Sequence, residues 1–209
     1  MKLHIEIPEG TDEIFNLLRE GGYLCANHPD EKHSTLYRRC RSYETGLSKY
    51  FAVSGLNLVC ENDFYYFEDL NEGDAESPEV EKELKAYLLF INFHIVLTKI
   101  LNYVQPGTIF TLAEIEQNIL DNISLSSMYK KNDRDSIRKE IEKDVKLFVS
   151  NGYLYRTSSS SEQYIVLSSF NRLLDFLSLI EVESVKEVKE EMQKEIEIDE
   201  AKEEEDANE

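Results

Sequence analysis

The sequence holds no tryptophan, three cysteines, four prolines and eight glycines in 209 residues. So little proline and glycine, beside twelve tyrosines and ten phenylalanines, argues against global disorder and leaves aromatic mass for packed cores. The cysteines (Cys25, Cys40 and Cys60) are odd in number and lack CxxC spacing, which speaks against a disulfide framework. Basic residues are scarce, with 23 Lys and Arg against 42 Asp and Glu, a formal net charge of −19. Such a chain is repelled by nucleic acid as a whole, so any DNA contact must come from a local basic patch or a partner. Long apolar runs are missing too. The most apolar window, Leu88–Val104, is interrupted by Asn92, His94, Lys99 and Asn102 and is too short to span a bilayer. The first ten residues carry His4, Glu6 and Glu9 in place of a secretory signal, so a cytoplasmic protein is expected. GxSxG, P-loop, HExxH and GxGxxG are all absent, and neither an enzyme nor a cofactor is expected.

What is present is unevenly placed. Residues Glu181–Glu209 hold fourteen acidic and four basic residues, a net of −10, leaving −9 on Met1–Ile180. The tail opens amphipathic, with Val185, Val188 and Met192 among Glu and Lys, and ends nearly pure acid. A solubilising disordered end and a short partner-docking helix both fit it.

Periodicity and breakers supply the elements. A helix is expected from an N-cap at Thr11, with Ile14, Phe15, Leu17 and Leu18 as its apolar face and Gly21-Gly22 as its stop. A strand at Tyr23–Cys25, a polar loop over Ala26–Lys32 and helix from about Ser34 to Val53 follow, with Gly46 as a break point and Gly55 as the end. Leu56–Cys60 and Phe64–Glu68 read as a hairpin, and Asn71–Pro78 as an acidic linker. The order then returns: a long helix over Val80–Val104 stopped at Pro106-Gly107, a strand at Thr108–Phe110, and a helix from Thr111 with Glu114 completing a capping box. After a polar loop comes a charged helix over Asp133–Asn151, with Ile137, Ile141, Val145 and Phe148 inward. A second hairpin, Tyr153–Arg156 with Tyr164–Leu167, spans the Ser158–Ser161 tip, and a helix over Phe170–Ile180 closes the body. The expectation is a mainly α chain with small hairpins (α+β). It comprises two winged helix-turn-helix domains in tandem (1–70 and 80–180), joined by the linker 71–79 and trailed by the acidic tail 181–209.

Three constellations could carry chemistry. Cys25, His28, His33 and Cys40 have the residue types and spacings of a compact zinc site; two packed cysteines and two loop histidines are the plainer reading. Cys40 beside arginines could be a low-pKa thiolate or a structural cysteine. His94 lies in an apolar helix, as a satisfied core histidine would. Two basic clusters are candidate DNA contacts: Arg38, Arg39 and Arg41 in the first unit, and Lys130, Lys131, Arg134, Arg138 and Lys139 in the second. The latter opens the helix that a winged helix lays on DNA. Against this, Asp133, Asp135, Glu140, Glu142 and Asp144 stand at pairing distance along the same helix.

Ile14–Leu24 with its terminal Gly21-Gly22, Leu36-Tyr37-Arg38, Tyr50–Leu56 and the aromatic run Phe64–Phe67 resemble the MukE/MksE family. These are the small tandem winged-helix (KITE) subunits of bacterial SMC, condensin-like complexes. Pro106–Phe110 and Val149–Leu154 agree, and the likeness covers about Ile14 to Ile180. It implies a non-catalytic homodimer that binds a kleisin subunit (MukF or MksF) beside an SMC ATPase (MukB or MksB). Such a subunit works on the nucleoid in chromosome condensation and segregation, meeting DNA mainly through the complex and no membrane. Tyr65, Tyr66 and the Leu88–Val104 helix would be candidate protein interfaces. A Wadjet-type plasmid-defence subunit and a winged-helix transcriptional regulator are the alternatives.

Overall fold

The structure, a computed structural model, describes residues 7–69, 93–122, 125–126, 133–158 and 162–175. The linker 71–79, the acidic tail, most of the Val80–Val104 helix, Lys130, Lys131 and most of the second hairpin's tip lie outside the described residues. The chain falls into two compact units, Met1–Asn171 and Arg172–Glu209. In the second, residues 172–175 are described and are helical.

Within the first unit, α1 (Thr11–Arg19), β1 (Leu24–Cys25), α2 (Glu31–Ser42), α3 (Glu44–Ala52), β2 (Leu56–Glu61) and β3 (Phe64–Asp69) make the first half. The second half repeats the order with α4 (93–101), β4 (Ile109–Thr111), α5 (Leu112–Asp121), α6 (Arg134–Ser150), β5 (Leu154–Arg156) and β6 (Gln163–Val166). Each half carries a three-stranded antiparallel sheet, ordered β1-β3-β2 in one and β4-β6-β5 in the other. The chain is thus mixed α+β, as its periodicities imply.

The ends of the elements have local causes. Gly10, not Thr11, caps α1 in a left-handed conformation (φ 81°), and the Thr11 hydroxyl turns back to donate to the Pro8 carbonyl at 2.6 Å. The Asp30 carboxylate accepts from His33 N–H and starts α2 three residues earlier than expected. The break between α2 and α3 falls at Tyr43 rather than Gly46, which sits inside α3. The capping box at Thr111 and Glu114 forms as read from sequence. In the second half, α4 ends before Asn102, whose φ of 57° breaks it ahead of Pro106-Gly107. Asn62 and Asp63 (φ 42° and 65°) supply the two-residue hairpin turn between β2 and β3, since both positions demand left-handed backbone. Gly152 (φ 71°) does more than end a helix: a side chain there would meet the Tyr23 ring at 3.2 Å.

That approach belongs to a seam between the halves. Strand β3 alternates its side chains between two buried faces. Tyr65 packs with Ile14, Leu36, Leu47 and Phe51 in the core of the first half. Phe64 and Tyr66 point the other way and pack with Cys25 and with Leu167 of the second half, flanked by Tyr155 and Ile165. Tyr23 lies 5.6 Å from the Phe64 ring and 5.7 Å from that of Tyr153. Asn27 then fastens the seam. Its amide donates to the Val166 carbonyl, and its side-chain oxygen accepts from both the N–H and the hydroxyl of Ser168, each at 2.9 Å. The second half has its own core, in which the Phe148 ring meets Phe93 at 5.0 Å and Phe170 at 6.2 Å.

Replacing Asn27 by Ala removes three hydrogen bonds and takes the partner of the buried Ser168 N–H and hydroxyl, while the Val166 carbonyl keeps the Gly107 N–H. We expect a loss of about 2 kcal/mol in urea unfolding. Asn118→Ala, which removes a bond to its own helix, should change stability by less than about 0.5 kcal/mol.

Candidate functional site

The candidate site residues divide sharply between the halves. In the second half, α6 places Arg134 and Arg138 one turn apart, facing α5. There the Glu116 carboxylate, 4% exposed, receives both guanidinium groups: Arg134 through Nε, and Arg138 through Nη1 at 2.8 Å. Arg138 also pairs with Glu142 at 3.1 Å and with Glu162 ahead of β6. Burial pushes the Glu116 carboxyl up, but the Arg138 and Arg134 guanidinium groups outweigh it and hold it below the ordinary carboxylate range. The Glu162 carboxylate and its neighbours drive the Arg138 pKa upward. Three carboxylates thus surround two arginines, and the cluster is net negative. Lys139 remains exposed on the same helix. Arg138, half-buried and bonded to three carboxylates, braces the helix, whereas the exposed Arg134 gives only its Nε to Glu116.

Glu116 was legible in principle. It falls with Leu112, Ile115 and Ile119 on the buried face of α5, and a carboxylate on such a face needs cationic partners from a neighbouring element. Glu162 carried no comparable signal.

In the first half, Arg38, Arg39 and Arg41 all lie on α2. Arg38 is exposed and folds back to the Ser34 carbonyl and the Thr35 hydroxyl. Arg39 donates to the Glu9 carbonyl at 3.0 Å, and Arg41 reaches the Cys60 sulfur at 3.4 Å. The third helix of this half, α3, carries Glu44 and Lys49 as its only charges. Tyr65 and Tyr66 are buried within the chain itself, at 0% and 7% exposure. The Tyr65 hydroxyl donates to Glu44 at 2.6 Å, and Tyr66 to Glu68 at 3.0 Å. Burial and the Glu44 hydrogen bond push the Tyr65 pKa up.

Cys25, His28, His33 and Cys40 do not assemble as ligands. The Cys25 backbone N–H, not its thiol, meets the ring of His33, donating to Nε2 at 3.1 Å. His28 accepts the Asp30 N–H at Nδ1, stacks on His33 at 3.7 Å, and meets the Tyr155 ring of the second half edge-on at 4.4 Å. Among the described residues no three His, Cys, Asp or Glu side chains come together as a metal site. Nor is Cys40 a reactive thiolate: burial, then Glu44 and Cys60, push its thiol up to about 12. The basic neighbours that suggested activation point elsewhere. His94 sits beside Thr98, at 3.4 Å, and the Phe170 ring.

Residues 9–178 match the family of the condensin complex protein MksE. The chain belongs to that family. No curated protein matches it. Membership makes it a condensin-complex protein, and the MukE/MksE resemblance read from its glycine and aromatic positions is the same assignment. No helix among the described residues is long and apolar enough to cross a membrane.

Two expectations follow from this geometry. Arg138→Ala should lower stability by about 2 kcal/mol in chemical unfolding, because it strands the buried Glu116 carboxylate with one partner. It should leave duplex binding by the isolated chain unchanged in a fluorescence anisotropy titration. Burial and then the neighbouring His28, against the upward pull of Asp30, hold His33 at about 4, below its ordinary 6.5. The unfolded chain therefore takes up a proton that the folded chain refuses, and stability present above pH 6.5 is lost as pH falls towards 4. His33→Gln, whose amide oxygen can accept the same N–H, should flatten that part of the thermal-midpoint profile.

Proposed function

We propose that the chain is a non-catalytic, kleisin-binding subunit of a condensin-like SMC complex, built as two winged-helix units in tandem and acting as a homodimer in chromosome condensation and segregation. The observation that carries this reading is the state of α6 within a chain of the MksE family. At the position of a winged-helix recognition helix, Arg138 is committed to Glu116, Glu142 and Glu162. A regulator that reads DNA on its own needs those donors free. A scaffold subunit needs the helix rigid, and DNA then meets the assembly through more basic partners.

The repeated element order supports the tandem reading. Each half runs helix, strand, two helices and hairpin, with the first strand paired to the last. The net charge of −19 supports reliance on partners. It also favours a nucleoid-associated, cytoplasmic assembly over a membrane-bound one.

Co-expression with a kleisin-like and an SMC-like subunit of the same complex, followed by size exclusion, tests the proposal. We expect a stable complex containing two copies of this chain. Elution of the chain apart from both subunits would overturn it, as would selection of a defined DNA site by the chain alone at physiological salt.

A further inference from the structure

Beside α1 lies an open cleft of about 500 Å³ that no part of the seam or of the α6 brace explains. Its floor is apolar, formed by Ile7, Pro8, Phe15 and Tyr50, and its rim carries Glu9 and Asp12. Ile7 is 43% and Tyr50 45% exposed, and the two stand together in one cleft with Phe15. The Glu9 carboxylate is 92% exposed and reaches Arg39 only at 3.9 Å; the closer Arg39 contact goes to the Glu9 backbone carbonyl. Glu9 thus pairs only loosely with Arg39, and the rim keeps a net negative charge from Glu9 and Asp12 beside that one guanidinium. Tyr50 stands on α3, the helix that in the proposed tandem winged-helix reading would face DNA.

We propose that this cleft is a docking site for a segment of the kleisin partner that carries an apolar anchor flanked by Lys or Arg. The inference rests on the kleisin-binding reading above and adds where and by what chemistry the contact is made. Charge selects this occupant. Two carboxylates beside an apolar floor repel a phosphate backbone and attract a basic peptide. A second copy seated with its two-fold axis through the cleft would set Glu9 and Asp12 against their own counterparts, four like charges at one contact. A small ligand would want convergent buried polar groups, whereas Glu9 and Asp12 are exposed and the buried Thr11 hydroxyl already donates to the Pro8 carbonyl. The anchor ring or aliphatic chain would lie against Tyr50 and Phe15, as interface hot spots do, with the rim setting encounter rate and register.

The test uses the full chain and the purified kleisin-like subunit of the same complex, titrated by calorimetry. Tyr50→Ala should weaken binding by about tenfold or more, as loss of an anchor contact does. Glu9→Lys with Asp12→Lys should weaken it by a similar factor at low salt, and the gap to wild type should close as salt rises. Thermal midpoints within a few degrees of wild type would show that both variants fold. If wild type does not bind the kleisin-like subunit, the functional reading itself fails and takes the cleft with it. If wild type binds and both variants match it, the cleft assignment alone is overturned. Kleisin binding that stays intact while the variants lose self-association in light scattering would overturn it in favour of a second copy. A lowered midpoint with intact kleisin binding would overturn it in favour of the chain's own first six residues.

Discussion

The rest of the described structure hangs on the double burial of strand β3. A strand offers its side chains to alternate faces, and in a small antiparallel sheet one face is commonly left to water. Here neither face is. Tyr65 and Phe67 turn to the helices of the first half, while Phe64 and Tyr66 turn to the second. An aromatic residue at every position from 64 to 67 is affordable only because a second sheet lies over the outer face. Burying such rings contributes roughly 1.5–3 kcal/mol each, so the seam, smaller than the first-half core, still adds several kcal/mol. Asn27 and its three hydrogen bonds give that greasy contact a fixed register.

The charges follow from the same constraint. Once two halves are held together by apolar surface, polar groups at their edges must be matched locally. Glu116 draws Arg134 and Arg138 inward, and Glu142 and Glu162 complete the set. His28 and His33, stacked near the seam, each accept a backbone N–H, which requires uncharged rings at those nitrogens. Arg138, His28 and His33 are thus committed to holding the fold.

Most of the architecture was readable from local signals, because local signals decide it. Helix α6 was marked by Ile137, Ile141, Val145 and Phe148, all now buried, and the Thr111–Glu114 capping box by two residues three apart. The first hairpin was marked by Asn62 and Asp63 between apolar runs. The misread boundaries had competing local solutions: Thr11 lost the cap of α1 to Gly10, and Gly46 was carried inside α3 by the burial of Leu47 and Phe51. The site was less legible for a different reason. Tyr66 and Asn27 matter through partners about 100 and 140 residues away, and no spacing rule encodes a contact of that range. A row of basic residues likewise does not reveal that its arginines will meet Glu116 and Glu162 across the fold.

The central claim is that the two halves form one cooperative body because the outer face of the first sheet is buried by the second. Native-state hydrogen exchange across a low-urea series measures this directly. The slowest amides of β2–β3 and of β5–β6 should converge on a single opening free energy with a common urea dependence. Two separate isotherms, with β5–β6 exchanging through an opening that leaves β2–β3 protected, would contradict the account.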